Sequence, residues 1–118
     1  ALVTGASSGI GAAFARLAAE KGFDIGLAAR RKDRLAALAA EIKERWRVET
    51  DIFEADLAKP GAAERLAEQV AAKARAPDLL VNNAGFSVAR GFARASLAEQ
   101  DSFLELTIRT PVALTRLF

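Results

Sequence analysis

The chain has 118 residues, which is enough for one domain and too few for two. Hydrophobic residues make up 52% and charged residues 27%, a balance typical of a globular rather than a disordered chain. Seventeen basic and fifteen acidic residues give a net charge of only +2, so we expect no nucleic-acid partner. No apolar stretch approaches the roughly 20 residues that cross a bilayer, so we expect no membrane partner.

Three chemically useful residue types are missing from the chain: it has no Cys, no His and no Tyr. Thiolate nucleophiles, disulfides, imidazole bases and phenolic acids are therefore excluded within these residues. The sequence suggests no metal ligands. The lack of Cys is also typical of a cytoplasmic protein, which is the location we expect.

Short strand-like runs alternate with helical stretches along the chain. The predicted strands cover residues 1–4, 23–28, 48–53 and 78–82. Apolar residues between them recur every three or four positions, as Leu35, Leu38 and Ile42 do. Gly22 is placed to end the first helix, Pro60 to begin the third, and the stretch 96–99 has the form of a capping box. This alternation predicts four strands and four helices, with a parallel sheet covered on both faces.

A glycine-rich turn, Thr-Gly-Ala-Ser-Ser-Gly-Ile-Gly at 4–11, joins the first strand to the first helix. Gly5 would permit the tight turn, Gly9 a close approach of backbone to a pyrophosphate, and Gly11 close packing of helix and strand. The helix amino terminus would offer free N–H groups to a diphosphate. A merely structural tight turn is the alternative. The spacing differs from that of a nucleoside-triphosphate loop, because no Lys follows the last glycine.

Three motifs in order resemble the short-chain dehydrogenase/reductase family: the glycine turn at 4–11, Asp56-Leu57 after the third strand, and Asn-Asn-Ala-Gly at 82–85. The resemblance covers essentially the whole chain. It implies a Rossmann-type doubly wound α/β sheet in strand order 3-2-1-4 that binds NAD(P). It also implies hydride transfer between that cofactor and a carbonyl or alcohol substrate.

The abrupt ends of the chain suggest that more sequence belongs to the fold. Ala1 already lies in a strand, Phe118 lies in an amphipathic helix, and the apolar fourth strand has no partner on one edge. We therefore expect residues 1–118 to be an NAD(P)-binding Rossmann domain truncated at both ends and incomplete on its carboxyl-terminal side.

The family pattern assigns roles to individual residues. Those expected to wrap the pyrophosphate and the adenosine ribose are Gly5, Ser7, Ser8, Gly9, Ile10 and Gly11. Asp56 should meet the adenine amino group, with the Leu57 backbone beside the ring. Asn83, Ala84 and Gly85 should line the ribose–nicotinamide side. Read alone, Asp56 could be an ordinary loop acid, and the paired asparagines an ordinary turn.

The end of the second strand points to NADP rather than NAD. An NAD site places a carboxylate there to bind the ribose 2′-hydroxyl, whereas this chain has Ala29 followed by Arg30, Arg31 and Lys32. A guanidinium can hold a phosphate dianion through two charge-assisted bonds. We expect Arg30 to make the direct contact and Ser7 to be a second donor, while Arg31 either serves the same site or is solvated.

The chain departs from the family at its catalytic residues. Family members use a Tyr, a Lys four residues later, a Ser, and an Asn in the preceding helix. The absence of Tyr excludes the Tyr–Lys pair, and Thr107 stands in the Asn position. Pro111 has no N–H, so it cannot donate to the Thr107 carbonyl, and we expect a kink in the helix there. The 118-residue chain alone should therefore be inactive.

Three functions remain open at this point. The first is the cofactor-binding half of an NADP-dependent oxidoreductase with a small carbonyl or alcohol substrate. The second is a noncatalytic NADP sensor or scaffold on the same fold. The third is a fragment without ligand affinity. The resemblance also implies a homodimer or homotetramer, and residues 86–88 and 90–92 are expected to border the substrate pocket.

Overall fold

The computed structural model describes residues 1–73, 76–88 and 92–118. Its strands are β1 (Leu2–Thr4), β2 (Ile25–Ala29), β3 (Thr50–Glu54) and β4 (Leu80–Val81). Its α-helices are α1 (Gly9–Glu20), α2 (Lys32–Trp46), α3 (Ala62–Ala71), α4 (Leu97–Leu104) and α5 (Thr110–Leu117). A 3-10 helix covers Phe92–Arg94, and a π-helical turn covers Glu105–Arg109. Over the described ranges, no helix is both long and apolar enough to span a membrane.

The four strands form one parallel sheet in the order β3-β2-β1-β4. Val3 of β1 is central, because it pairs with Leu27 of β2 on one side and with Val81 of β4 on the other. The predicted strand order and parallel arrangement are confirmed. All four strands end at the same edge of the sheet, where ligands bind in open α/β folds.

Helices cover both faces of the sheet, as the alternation of segments predicts. On one face, α1 and α2 pack small and branched residues, including Ala15, Leu35 and Ile42, against β1 and β2. On the other face, Leu66 of α3 and Leu114 of α5 pack with Leu2 and Phe53. The two buried clusters hold the sheet between layers of helix, which fixes the carboxyl ends of its strands.

The strand bounds differ from those predicted because pairing, rather than local hydrophobicity, sets them. β2 begins at Ile25 instead of residue 23 and continues to Ala29, where it pairs with Glu54 of β3. β3 likewise begins two residues later than predicted. β4 is reduced to Leu80–Val81, because only these two residues pair with β1.

The prediction of a single last helix is wrong. The segment after the capping box consists of α4, the π turn and α5. The capping box itself is confirmed: the Glu99 N–H donates to Ser96, and the Glu99 carboxylate accepts from the Ser96 N–H. Pro111 follows the π turn, in which the Thr110 N–H donates to the Glu105 carbonyl five residues earlier. Proline cannot continue the α-helical bonding pattern, and here it stands just after an irregular π turn. The kink expected near Pro111 stays a prediction.

Candidate functional site

The glycine turn connects β1 directly to α1 at the carboxyl edge of the sheet. Gly5 and Gly9 have φ values of +67° and +55°, in the left-handed region that favours glycine. Ser8 precedes the helix in an extended conformation, and no side-chain hydrogen bond caps the helix here. The first turn also contains no acidic residue. The amino end of α1 therefore presents N–H groups and a partial positive charge to any anion that binds at this edge.

The inner face of the turn is closely packed. A Cβ at Gly11 would overlap the Gly5 carbonyl oxygen and would lie 2.5 Å from Asn83 Nδ2. A Cβ at Gly5 would lie 2.7 Å from the same nitrogen and 2.9 Å from Ala84 Cα. Both glycines are therefore needed so that β1, α1 and the loop after β4 can approach one another, as the sequence predicts for Gly11.

The outer face of the turn is open. A Cβ at Gly9 would meet no atom of the described residues within 4 Å. Ile10 beside it is 68% exposed. The backbone at Gly9 is therefore open to a ligand from this side, and the cofactor contacts expected of Gly9 and Ile10 stay predictions.

A hydrogen-bond network centred on Thr4 ties the turn to the loop after β4. The buried Thr4 hydroxyl donates to the Val81 carbonyl at 3.1 Å and accepts from the N–H groups of Asn83 and Ala84 at 3.0 and 3.1 Å. The Asn83 amide donates to the Thr4 carbonyl at 3.0 Å and to the Gly5 carbonyl at 3.4 Å. Sequence reasoning missed Thr4, although it immediately precedes the first glycine of the motif.

A basic side chain lies across the hydroxyls of the turn. The Arg31 guanidinium donates to Ser8 Oγ at 2.7 Å and to Ser7 Oγ at 3.0 Å. Arg30 is exposed and follows the buried Ala29 that ends β2. Both arginines and both serines line one cavity at the carboxyl edge of the sheet. The structure thus brings both arginines and Ser7 to one place. It shows a bonded role for Arg31, and the direct phosphate contact assigned to Arg30 stays a prediction.

The loop after β3 lines the same cavity as the arginines. The Asp56 side chain accepts from the Ala58 N–H at 3.3 Å, and the Asp56 carbonyl accepts from the Lys59 N–H at 3.1 Å. Leu57 is buried, and its carbonyl accepts a 2.8 Å hydrogen bond from Thr110 Oγ1. Asp56 therefore orders its own loop, as the structural alternative suggests, and it also borders the cavity.

A cavity of about 140 Å³ at the carboxyl edge collects most of the predicted cofactor residues. Those that line it are Gly5, Ser7, Ser8, Arg30, Arg31, Asp56, Leu57, Ala84 and Gly85. Gly9, Ile10, Gly11, Asn83 and Thr107 do not line it. Sequence reasoning missed three lining residues without polar side chains: Ala55, Ala58 and Leu106. Phe86, which the sequence places at the substrate pocket, lines this cavity as well.

A larger cavity of about 430 Å³ lies at the opposite, amino-terminal edge of the sheet, where Asp24, Glu49 and Asp78 are among its lining residues. This edge has neither the glycine turn nor the amino terminus of α1. Ligands of open α/β sheets bind at the carboxyl ends of the strands. The smaller cavity is therefore the better candidate site.

The predicted substrate side is only partly described. Phe86 lies against Phe103 of α4 with ring centroids 6.0 Å apart, in an edge-to-face arrangement. Thr107 is exposed on the π turn. Arg90 and Gly91, which the sequence places at the substrate pocket, lie outside the described residues.

An ion pair links α1 to α2 close to the turn. Arg16 donates to the two carboxylate oxygens of Glu41 at 2.7 and 2.8 Å. Hydrogen bonding from Arg16 holds the pKa of Glu41 below its ordinary value, and the same bonds raise the pKa of Arg16. Both side chains remain 41% exposed, so water and salt weaken the attraction between them.

Comparison with known families agrees with this geometry. The family model described as short chain dehydrogenase matches residues 1–118, the whole chain. The chain belongs to the short-chain dehydrogenase family. The resemblance carried by the three motifs is thereby confirmed, and so is the Rossmann-type fold.

Individual proteins are similar to the chain over nearly its whole length. Nodulation protein G of Rhizobium sp. (strain N33) is 39% identical over 116 residues, which are 98% of this chain and 46% of that protein. A metagenomic short-chain oxidoreductase in complex with NADP is 37% identical with a TM-score of 0.90, covering 100% of this chain and 53% of its own. A short-chain dehydrogenase from Sphingobium yanoikuyae in complex with NADPH is 34% identical with a TM-score of 0.90, covering 98% of this chain and 45% of its own.

The chain spans about half the length of the curated relatives that it matches.

Proposed function

We propose that the chain is the cofactor-binding half of an NADP-dependent oxidoreductase, in which hydride passes between NADP(H) and a carbonyl or alcohol substrate. One observation carries the proposal: a single cavity at the carboxyl edge joins the glycine turn, two arginines and the loop after β3. Two similar solved proteins, one metagenomic and one from Sphingobium yanoikuyae, are complexes with NADP and NADPH.

The described residues suit such a cofactor at both ends of its adenosine portion. The open space over Gly9 and the uncapped start of α1 suit a diphosphate. The half-buried Asp56 and the backbone at Leu57 would lie beside the adenine. When bound, the nicotinamide ring supplies the hydride acceptor or donor, and the protein's task is to hold and orient it.

The preference for NADP over NAD follows from charge at the end of β2. Ala29 is buried and carries no carboxylate that would repel a 2′-phosphate, whereas Arg30 and Arg31 follow it. Because Arg31 already donates to Ser7 and Ser8, its guanidinium is held over the turn before any ligand arrives. We propose that Arg30 contacts the 2′-phosphate directly while Arg31 fixes the two serines.

The family resemblance implies catalysis by a Tyr and a Lys four residues later, and residues 1–118 contain no Tyr. We therefore propose that the Tyr and Lys of the reaction belong to a longer parent protein. Thr107 takes the Asn position of the family within the π turn. A small-molecule substrate, a homodimeric or homotetrameric assembly and a cytoplasmic location complete the proposal.

A second function is a noncatalytic NADP sensor or scaffold on the same fold. The presence of Thr107 in place of the family Asn favours it. A Tyr-x-x-x-Lys sequence in the parent protein would support the enzyme, whereas its absence together with tight NADP binding would support the sensor.

The charge at Arg30 gives the direct test. Arg30→Asp should weaken NADP binding by about 1.5–3 kcal/mol, the contribution of a charge-assisted phosphate contact, and bring NAD closer to parity. Calorimetric titration of wild type and variant with both cofactors measures this change. Lys21→Asp, which reverses a charge just after α1 at the far edge of the sheet, is the matched control. A wild-type chain that prefers NAD would contradict the assignment.

A further inference from the structure

The Thr110 hydroxyl makes an unusual long-range contact. Within the described ranges, only two polar residues are buried, Thr4 and Thr110. Thr4 lies at the centre of the turn network. Thr110 Oγ1 instead donates to the Leu57 carbonyl at 2.8 Å across 53 residues of sequence. This bond joins α5, at the end of the chain, to the loop that follows β3.

Among the described residues, the other hydrogen bonds of the loop after β3 either join its first residue to β2, from the Ala55 N–H to the Ala29 carbonyl at 3.1 Å, or lie within the loop and α3, which follows it. Asp56 orders it locally, through its bonds with Ala58 and Lys59. The side chain of Leu57 is buried between the sheet and the helices, but burial alone does not fix the direction of its carbonyl. The Leu57 carbonyl and the Ala58 N–H belong to one planar peptide unit, so the local bond from Ala58 to Asp56 and the bond from Thr110 both orient it. Of these two bonds, only the one from Thr110 ties the unit to a different part of the fold.

The π turn explains why Thr110 occupies this position. Its extra residue changes the rotation of α5 relative to α4, by the roughly 100° that one helical residue contributes. Pro111, at the next position, keeps the segment from returning to an uninterrupted α-helix. Thr110 and Leu114 are buried together as a result, and both face the cluster that contains Leu57.

We propose that Thr110 is a positioning residue for the adenine side of the cofactor site. It holds the Leu57 peptide unit so that the backbone from Asp56 to Ala58 forms a fixed wall of the cavity. The inference rests on the proposed function, since it assumes that an adenosine moiety lies against this wall. It also gives the π turn a role in binding, separate from the role of Thr107.

The test compares three variants of the full chain with adenosine 2′,5′-bisphosphate as the probe. Thr110→Val removes the hydroxyl at nearly constant volume and should weaken binding about tenfold. Thr110→Ser keeps a hydroxyl and should restore the affinity to within about threefold of wild type. Thr115→Val is the control, because Thr115 is also on α5 but accepts from Asn82 in the loop after β4. It should leave the affinity unchanged.

A second measurement separates positioning from general stability. Titrations are made well below the melting temperature of each variant, and the amide resonance of Ala58 is followed by NMR. It should shift in Thr110→Val and return in Thr110→Ser. If Thr110→Val does not fold, Thr110→Ala takes its place.

The possible outcomes separate the two proposals. Equal affinities of wild type and a folded Thr110→Val would overturn the positioning role. The same conclusion would follow if Thr110→Ser, although folded, failed to restore binding. A wild-type chain that binds neither the bisphosphate nor NADP would instead overturn the proposed function.

Discussion

The two faces of the glycine turn differ in what they require of the same residue type. On the inner face, Gly5 and Gly11 are held against Asn83, and neither has room for a Cβ. On the outer face, Gly9 has open space around it and only its backbone conformation favours glycine. The inner glycines are therefore demanded by the fold, whereas the outer glycine leaves room for a ligand.

This difference explains how one short motif can serve two tasks. The inner face joins three chain segments, β1, α1 and the loop after β4, through backbone contacts and the Thr4 hydroxyl. These contacts fix where α1 begins. The free N–H groups at that end then point to a defined place, which is what an anion-binding helix terminus requires. Changes on the inner face should reduce stability, and changes on the outer face should reduce binding.

The largest effect is expected at Gly11. Gly11→Ala forces a Cβ onto the Gly5 carbonyl and the Asn83 amide, and backbone atoms cannot move aside as a flexible side chain can. We expect a loss of about 3 kcal/mol in the free energy of unfolding, the upper part of the usual range for overpacking. Urea denaturation measures it. Gly85→Ala, whose Cβ would meet only the Asn83 carbonyl oxygen at 3.9 Å, is the control and should change little.

At Gly9 we expect the reverse pattern. Gly9→Val should lower NADP affinity at least 100-fold, about 2.7 kcal/mol, because the side chain would fill the space above the uncapped start of α1. The left-handed backbone alone should cost about 1–2 kcal/mol of stability. Gly22→Val controls for that cost, since Gly22 also has a positive φ and open surroundings but lies at the other end of α1. Unchanged NADP affinity in folded Gly9→Val would leave only the structural tight turn.

Thr4 should show an intermediate effect. Thr4→Val leaves the N–H groups of Asn83 and Ala84 without their acceptor, which we expect to cost about 2 kcal/mol of stability. Thr4→Ser, which keeps the hydroxyl, should recover most of it. Thermal unfolding of the two variants provides the comparison. If Thr4→Val is as stable as wild type, the network is not what holds the inner face.

Much of the fold follows from local pattern, because strand–helix alternation and the position of the glycine turn specify a parallel sheet. The strand bounds do not, since they depend on partners: Ala29 extends β2 only because Glu54 lies beside it. The capping box at Ser96 is predictable, because its contacts lie within four consecutive residues.

The site was predictable where it consists of a motif and less so where it consists of long-range bonds. The residues of the glycine turn and the Asp56-Leu57 pair are recognisable in sequence, and most of them line one cavity. The roles of Thr4 and Thr110 are not, because a threonine in a strand or helix carries no signal of a partner 53 or 79 residues away. Pro111 did signal a break, but a missing N–H does not specify a π turn.

The smallest effect is expected at the exposed ion pair between Arg16 and Glu41 beside the turn. Unlike the contacts of the buried inner face, its contribution to the free energy of unfolding should depend on pH. Hydrogen bonding from Arg16 lowers the pKa of Glu41 from its ordinary value of 4.5, so the folded chain holds this proton less tightly than the unfolded chain does. The stabilisation is therefore present above that value and is lost as pH falls through the lower folded pKa.

Because both side chains are 41% exposed, we expect Glu41→Gln to cost only about 0.2–1 kcal/mol at neutral pH and nothing once Glu41 is protonated. Urea unfolding of wild type and Glu41→Gln at neutral and acidic pH, each with and without added salt, measures the difference. A difference that persists undiminished in acid or in high salt would show that Glu41 contributes through packing rather than through its charge.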